Sequence, residues 1–580
     1  MDLFAATNSD GYKLSHADMY ADGTTKVYSN LTPRTDKIYR RGCTRFYDGR
    51  LVFFGGQAAI HEIVEMWNQS FFNVPVNMVI KKFKRRVDAY LGEGVISTER
   101  LIALWNLGYL PLEIKTLDEG LKVPMGVPVL TITNTIDEHF WLVNYLETVL
   151  SNLTWKTSTN ATIAAEYKAI LSHFAKKTGV DDFTVSIQAH DFSCRGMSGP
   201  EDAARSGMAH LTQFIGTDTL SAMDAVEDYY GCEGLLAISV PATEHAVSSN
   251  NILSIERAML NGSFDGIPYA PNYRYAVQSG EEMGLRGTAE REFLKDLITR
   301  KYPKGIVSYV ADTYDFWQVI SVILPSLRQS ILDRKDDANG LAKLVIRPDS
   351  GDPVKVVCGY KVHPVEFTTE LEALNAGHYG QLADVEAIVI SGEYFEVESY
   401  AADYDPSCRV IGKRIEETEV RGAIECLWEI FGGTETSTGH KLLDRHIGLI
   451  YGDSITTSRA VEILERLERK GFASGNIVFG VGSYTYQCNT RDTFGFAVKA
   501  TYSVVDGLPI NIFKDPKTDS KKKSAKGLLF VGRDSDDELA LLDQVDRYTE
   551  ALEDNFLIIR FKDGHFYNQV TFDEIRERLA

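Results

Sequence analysis

The sequence predicts an α/β fold: a (β/α) barrel with a mixed α+β domain built from both chain ends. Three observations point there. Short apolar runs recur between residues 183 and 483, each bounded by turn-forming residues. Helical stretches such as TSRAVEILERLERKG (457–471) lie between several of them. Each run ends in a charged, reactive or glycine residue, and chemistry placed at successive strand C-terminal ends is the arrangement of a barrel. An open doubly wound sheet shares part of this pattern and is the alternative fold.

Taken in order, the first ~150 residues mix strand and helix signals. KVYSNL (26–31) and LPLEIKTL (110–117) look like strands, and 57–70 has helical periodicity. KKFKRR (81–86) is read as a solvated helix face rather than a localisation signal. Six runs follow. FTVSIQAHDF ends at His190, Asp191 and Phe192, and LLAISVPATEH ends at His245. GIVSYVADTYD ends at Asp312 and Asp315, and LAKLVIRPDSGD at Arg347, Asp349 and Gly351. HIGLIYGDS ends at Gly452 and Asp453, and NIVFGVGS at Gly482 and Ser483. About 90 residues between Pro353 and His446 interrupt this series and are expected to be an insertion on the outside of the barrel, at about 355–440. GTETSTGHK within it superficially resembles a phosphate loop, but no Gly-Lys-Ser/Thr follows. The tail from about 500 reads as strands, a lysine run (517–527), a strand pair and a terminal helix. The expected domains are 1–150 with 500–580, and 151–499 as the barrel.

A formal net charge of −20 argues against a nucleic-acid or anionic-membrane partner, although a local basic pocket could still take an anionic substrate. Seven dispersed cysteines with no CxxC pair argue against a disulfide framework or a thiolate zinc site. MDLFAATNSDGYK has no basic start or long apolar run, so no signal peptide is expected. No run of about 18 apolar residues suggests a membrane span. The expectation is a cytoplasmic protein with neither nucleic-acid nor membrane partners.

Several constellations could carry chemistry. His245 at a run's end is a candidate acid, base or phospho-acceptor, against the plain alternative of a structural histidine. IRPDSGDP (346–353) puts Arg347, Asp349 and Ser350 on one turn: a fork for phosphate, a carboxylate for ribose hydroxyls or Mg²⁺, and a small turn a ligand can approach. YGDS (451–454) and FGVGSY offer glycine amides of the kind that cradle a monophosphate. HDFSCRG (190–196) pairs Phe192 with Arg195, an aromatic face and a cation. In GTDT (216–219), Asp218 lies at a helix start, where an N-cap is the simpler role.

HDFSCRG, GTDT, SVPATEH, IRPDSGDP, YGDS, TRD and GLPINIFKDP, in this order and after NSDGYKLSH and KVYSNLTPR, closely resemble the type II phosphoribosyltransferases that make nicotinamide mononucleotide. The resemblance runs from about residue 6 to 530 and again at FDEIR (572–576); it fails across about 355–440 and is weak across about 253–300. It implies transfer of a phosphoribosyl group from 5-phosphoribosyl 1-pyrophosphate to nicotinamide, with ATP as a coupled co-substrate, Mg²⁺, and a homodimer sharing its active sites. It places the nicotinamide ring between Phe192 and Tyr12 of a second subunit, with Asp10 assisting from across the interface and Asp218 accepting from the carboxamide. It assigns Arg195, Ser308, Arg347, Gly482 and Ser483 to the nicotinamide, ribose and 5′-phosphate, and Asp349 and Asp453 to the ribose hydroxyls beside Gly452. Arg34, Arg491, Lys499 and Lys514 are the implied pyrophosphate clamp. Asp312 and Asp349 are the carboxylates expected near the metal and near His245, the histidine that ATP phosphorylates.

One departure stands out: where the familiar vertebrate members have a run of glycines, this chain reads GVGSYTY (480–486), with Ser483 and Tyr484 in the run. Nicotinate phosphoribosyltransferase is the nearest alternative activity. A non-catalytic binding protein and another sugar-phosphate barrel enzyme are further alternatives; neither accounts for the whole motif set.

Overall fold

The computed structural model describes residues 3–263, 283–382, 384–399, 409–513 and 525–580. Lys514 lies outside them. The chain divides into two compact units. One comprises Met1–Ala169, Ser193–Ala237 and Ser483–Ala580; the other comprises Ile170–Phe192 and Ile238–Gly482.

The first unit is organised on a seven-stranded antiparallel sheet. Its spatial order is Leu508–Asn511, Ala497–Val505, Thr24–Thr32, Leu130–Asn134, Leu112–Thr116, Ile558–Lys562 and His565–Phe566. Three strands from the N-terminal part form its middle and two from the C-terminal part flank them on each side, so neither end completes the sheet alone. Thr24–Thr32 is central and almost wholly buried. Buried Asn134 fixes its entry, accepting from Val27 N at 2.9 Å and donating to Thr25 O at 2.8 Å. Beneath lies a core that includes Phe53, Trp67, Phe71, Leu104, Leu142 and Phe494. The helix Gly56–Trp67 starts over the buried carboxylate of Glu119, which accepts from Gly55 N, Gln57 N and Tyr230 Oη at 2.6–2.9 Å. An anion at a helix N-terminus satisfies amides that the helix itself leaves unpaired. KKFKRR lies in the amphipathic helix Val76–Leu91, with only Phe83 of the six turned into the core.

The second unit carries five strands of a curled parallel sheet. In spatial order these are Ala189–Asp191, Ile477–Val481, Ile447–Tyr451, Ala342–Arg347 and Gly305–Val310. All but Ala189–Asp191 are rich in Val, Ile or Leu, and each has half or more of its residues buried, as in strands covered on both faces. A single parallel bridge from Ala242 to Ser308 prolongs the sheet beyond Gly305–Val310.

Two of the six expected strands are corrected here. The first half of FTVSIQAHDF belongs to the helix Asp182–Ile187, capped by Asp181, with a strand only at Ala189–Asp191. The Asp cap at the start of the run outweighs its strand-like composition. LLAISVPATEH forms no strand, only isolated bridge positions at Ile238 and Ala242. Pro241 interrupts the ladder there, and His245 is the first residue of the helix His245–Leu260.

The 355–440 region holds its own three-stranded antiparallel sheet, Ala387–Ile390, Glu393–Ser399 and Arg409–Ile415. Its first hairpin turns on Ser391 (φ 51°) and Gly392 (φ 83°), the two left-handed residues of a type I′ turn. GTETSTGHK spans a hairpin between Gly433–Glu435 and Lys441–Leu443, so its lysine sits in a strand. Among the described residues no helix is long and apolar enough to cross a membrane, and six cysteines are unpaired.

One buried group makes the second unit pH-sensitive. Glu290, on the helix Leu285–Asp296, is 1% exposed and accepts from Tyr309 Oη at 2.7 Å. Burial, reinforced by Asp315, pushes its carboxyl up from 4.5 to about 7, against the hydrogen bond from Tyr309. The folded state therefore holds a proton that the unfolded chain releases above about pH 4.5. Its stabilising contribution is complete below that value and is lost as pH rises through about 7. A rise from 4.5 to about 7 corresponds to at most roughly 3–4 kcal/mol. Glu290→Gln, permanently neutral, should unfold at a higher temperature than the parent at pH 8.5, with the gap closing towards pH 5. Calorimetry at the two pH values checks this; an equal gap at both would refute it.

Candidate functional site

The C-terminal ends of the parallel strands bring together His245, Asp312, Arg347, Asp349, Gly452 and Phe192. Asp312 stands two residues past Gly305–Val310 with only 6% of its side chain exposed. Its Oδ2 accepts from Asp349 N at 3.0 Å and from Ser350 Oγ at 2.6 Å, tying the IRPDSG turn to the neighbouring strand end. Its Oδ1 is buried without a hydrogen-bond partner. His245 Nε2 lies 3.8 Å from Asp312 Oδ1 and 3.7 Å from Asp349 Oδ2, while Nδ1 meets Thr313 Oγ1 at 3.2 Å. One ring nitrogen is thus engaged by a hydroxyl and the other faces two carboxylates.

An orphaned buried carboxylate oxygen is costly unless something comes to it. The oxygens of Asp312 and Asp349 fit a divalent cation. No three His, Cys, Asp or Glu side chains among the described residues form a metal cage by themselves. A pair of carboxylates completed by substrate phosphates is the usual way Mg²⁺ is held.

Phe192 follows Ala189–Asp191 and lies over two bare backbones. A Cβ on Gly480 would fall 2.5 Å from the ring, and one on Gly452 would fall 3.4 Å from it and 2.9 Å from Asp349 Oδ1. The glycines are required here for space, since neither carries a left-handed φ. The Arg347 guanidinium is 5.9 Å from the Phe192 ring centre and donates through Nη2 to Thr243 O at 3.2 Å; its Nε is buried and unpartnered. A planar ring and a cation are therefore held side by side, a pairing suited to an aromatic ligand bearing an anion. Ser308 is 4% exposed and donates its amide to Pro241 O.

Tyr451 holds the same turn from below, its hydroxyl donating to Ser350 O at 2.8 Å and Gly351 O at 3.0 Å. Burial and then the nearby carboxylates, Asp453 first, raise its phenol far above the ordinary value. Asp453 is exposed and accepts from Ser454 Oγ at 2.8 Å. Ser454 has φ 56°, a left-handed conformation that a non-glycine residue adopts at a cost and that recurs at functional turns. Gly482 ends this unit after Ile477–Val481, with open space beside its Cα.

In the other unit, Asp10 precedes and Tyr12 lies within the short helix Gly11–Ser15. Asp10 accepts from Thr148 Oγ1 at 2.7 Å, and Tyr12 is 63% exposed. Buried Lys13 anchors the segment through Glu147 at 2.6 Å. Arg195 is exposed on the turn Cys194–Gly196. Ser483 opens the helix Ser483–Gln487, and its side chain occupies the space where Gly196 lacks one. Tyr484, next to it, is 69% exposed. Asp218 is also exposed and lies one residue before the N-cap position of the helix Leu220–Tyr229, which is Thr219 and makes no side-chain capping bond. Arg34 donates through Nε to Gly495 O at 2.8 Å, which brings it to the segment that leads from Arg491 to Lys499. Lys499 pairs in register with Asn30. Arg491 is exposed and 3.2 Å from Asp492.

Gly480, Tyr451, Thr243 and Thr313 are participants that sequence reasoning did not select. Gly480 lay in the quoted FGVGSY, but glycines end most strands, and nothing in the chain says which one a ring covers.

A model of the nicotinate phosphoribosyltransferase (NAPRTase) family matches residues 187–558 of the chain. A nicotinamide phosphoribosyltransferase of Acinetobacter baylyi (strain ATCC 33305 / BD413 / ADP1) is 45% identical over 573 residues, covering 98% of this chain and 96% of that one. One of Mycoplasma pneumoniae (strain ATCC 29342 / M129 / Subtype 1) is 29% identical over 546 residues, 89% and 93% of the two chains. The crystal structure of human nicotinic acid phosphoribosyltransferase aligns at 13% identity and a TM-score of 0.49, over 99% of this chain and 92% of that one.

Proposed function

Since the chain belongs to the nicotinate phosphoribosyltransferase family and is a pentosyltransferase, we propose that it joins nicotinamide to 5-phosphoribosyl 1-pyrophosphate. The products are nicotinamide mononucleotide and pyrophosphate, in NAD salvage. The observation that carries the reading is the cluster of His245, Asp312 and Asp349 beside the Phe192–Arg347 pair. The 45% identical relative's name favours nicotinamide over the nicotinate of the family's name.

In this reading Phe192 supplies one stacking face for the pyridine ring and Tyr12 of a second subunit the other. The exposure of Tyr12 supports a homodimer that shares its sites. Aromatic faces also favour the pyridinium that forms as the ring nitrogen bonds to C1 of the ribose. Arg347, Arg195 and Ser308 hold the ribose 5′-phosphate and the ring, with the turn at Gly482 and Ser483 offering amides. Asp453 and Asp349 orient the ribose hydroxyls. Arg34, Arg491 and Lys499 balance the charge of the departing pyrophosphate. Asp312 and Asp349 would hold Mg²⁺, which when bound neutralises pyrophosphate charge at the leaving oxygen. The transition state is an oxocarbenium-like C1, so holding the partners in line contributes more than a general base. His245 accepts the terminal phosphoryl group of ATP: a N–P bond forms, the P–O bond to ADP breaks, and later hydrolysis of the phosphohistidine pulls transfer forward. A cytoplasmic location fits the free cysteines and the salvage role.

Specificity rests on Asp218, which accepts from the carboxamide NH₂ and repels a nicotinate carboxylate. Purified protein with Mg²⁺, phosphoribosyl pyrophosphate and either base should make mononucleotide from nicotinamide, and more with ATP. In Asp218→Asn the preference over nicotinate should shrink at least tenfold, read as the ratio of the two kcat/KM values. Product from nicotinate alone would establish the family's other activity instead, and an unchanged ratio in the variant would remove Asp218 from the account.

A further inference from the structure

We propose that Tyr314 is a positioning residue for His245, acting through Ser249; this rests on the role given to His245 above. His245 opens the helix His245–Leu260, where the backbone is held least firmly, and half its side chain is exposed. Its separations of 3.7 and 3.8 Å from Asp349 and Asp312 are too long for hydrogen bonds, so the carboxylates do not fix the ring. Its aim is set instead by how the helix is held against the turn that carries Asp312.

Two successive residues of that turn grip two successive turns of the helix. Thr313 Oγ1 meets His245 Nδ1 at 3.2 Å, and Tyr314 Oη shares a 3.0 Å hydrogen bond with Ser249 Oγ. His245 and Ser249 are four residues apart, hence on one helix face. Tyr314 is itself braced. The Arg286 guanidinium lies 4.7 Å from the centre of its ring, and Arg286 Nε reaches Glu256 Oε2, on the same helix, at 3.2 Å. Tyr314 is thus held between Arg286 and Ser249, and the bonds of Thr313 and Tyr314 tie the turn that carries Asp312 to the first two turns of the helix. Tyr314 touches no reacting group; it fixes the distance and angle at which the imidazole faces the carboxylates.

The test compares mononucleotide formation from nicotinamide with and without ATP in the full-length protein and in Tyr314→Phe, Ser249→Ala, the double variant and His245→Ala. Tyr314→Phe keeps the ring under Arg286 and removes only the hydroxyl. The ATP-dependent increment should fall about fivefold, the worth of one hydrogen bond. The ATP-independent rate, the KM for nicotinamide and the unfolding temperature should stay at parental values. Ser249→Ala should match it, and the double variant should be no worse than either, because both remove the same bond. Parallel loss of both rates with a lowered unfolding temperature would mean a merely structural residue and would overturn the proposal. Full ATP stimulation in Tyr314→Phe, with none in His245→Ala, would overturn it while leaving the role of His245 intact. Stimulation persisting in His245→Ala would remove that role, and the proposal with it.

Discussion

Asp312→Asn should lower the rate of mononucleotide formation by about a hundredfold or more, while the protein stays folded. The substitution is nearly isosteric, so its effect is electronic. Asp312 Oδ2 serves two donors, Asp349 N and Ser350 Oγ, and Oδ1 is buried with no hydrogen-bond partner of its own. An amide can keep the first oxygen's bonds only by turning its NH₂ to where Oδ1 now stands. That places a donor where the site calls for negative charge, facing His245 at 3.8 Å. Both proposed roles of the carboxylate, holding a divalent cation and facing the imidazole, would fail together. The measurement is kcat across a Mg²⁺ titration, with the unfolding temperature as control. A rate within twofold of the parent would show that the orphaned oxygen is incidental.

Gly480→Ala should raise the KM for nicotinamide about tenfold. The added methyl would sit 2.5 and 2.7 Å from two Phe192 ring atoms and 2.8 Å from Gly452 Cα, and backbone at Gly452 cannot retreat as a flexible side chain could. The ring must therefore lift or rotate, and its stacking, worth about 0.5–1.5 kcal/mol, is lost together with its alignment beside Arg347. Phe192→Ala should show the same change in KM. The double variant should add little, because a platform already removed cannot be displaced again. Additive losses in the double variant, or an unchanged KM in Gly480→Ala, would show that the ring position does not govern binding of the base.

Much of this protein can be read directly from its sequence. The parallel strands Gly305–Val310, Ala342–Arg347, Ile447–Tyr451 and Ile477–Val481 are short, mostly apolar runs that end in or are soon followed by Asp, Arg or Gly, so local composition marks both the strand and the place where its chemistry begins. Asp312, Arg347 and Asp349 stand at or just past the ends of such runs, whereas His245 opens a helix after a run that forms no strand, and was selected on a strand end that is not there and on motif order along the chain. Local signals misled where two of them competed. The run at 183–192 has strand-like composition, but Asp181 caps a helix there. The run at 235–245 contains Pro241, and isolated bridge positions at Ile238 and Ala242 stand in place of a ladder.

What only the tertiary structure decided are relations between residues far apart in sequence. That Gly480 is bare because the Phe192 ring lies against it, that Tyr451 carries the Ser350–Gly351 turn, and that Tyr314 reaches Ser249 follow from which strand ends are neighbours. So does the interleaving of residues 24–32, 112–134, 497–511 and 558–566 in one antiparallel sheet. The physical reason is common to all of them. A residue's secondary structure is set largely by its immediate neighbours and its pattern of burial. A side chain's partner is set by packing, which brings together atoms tens to hundreds of residues apart and leaves no periodic trace in either segment.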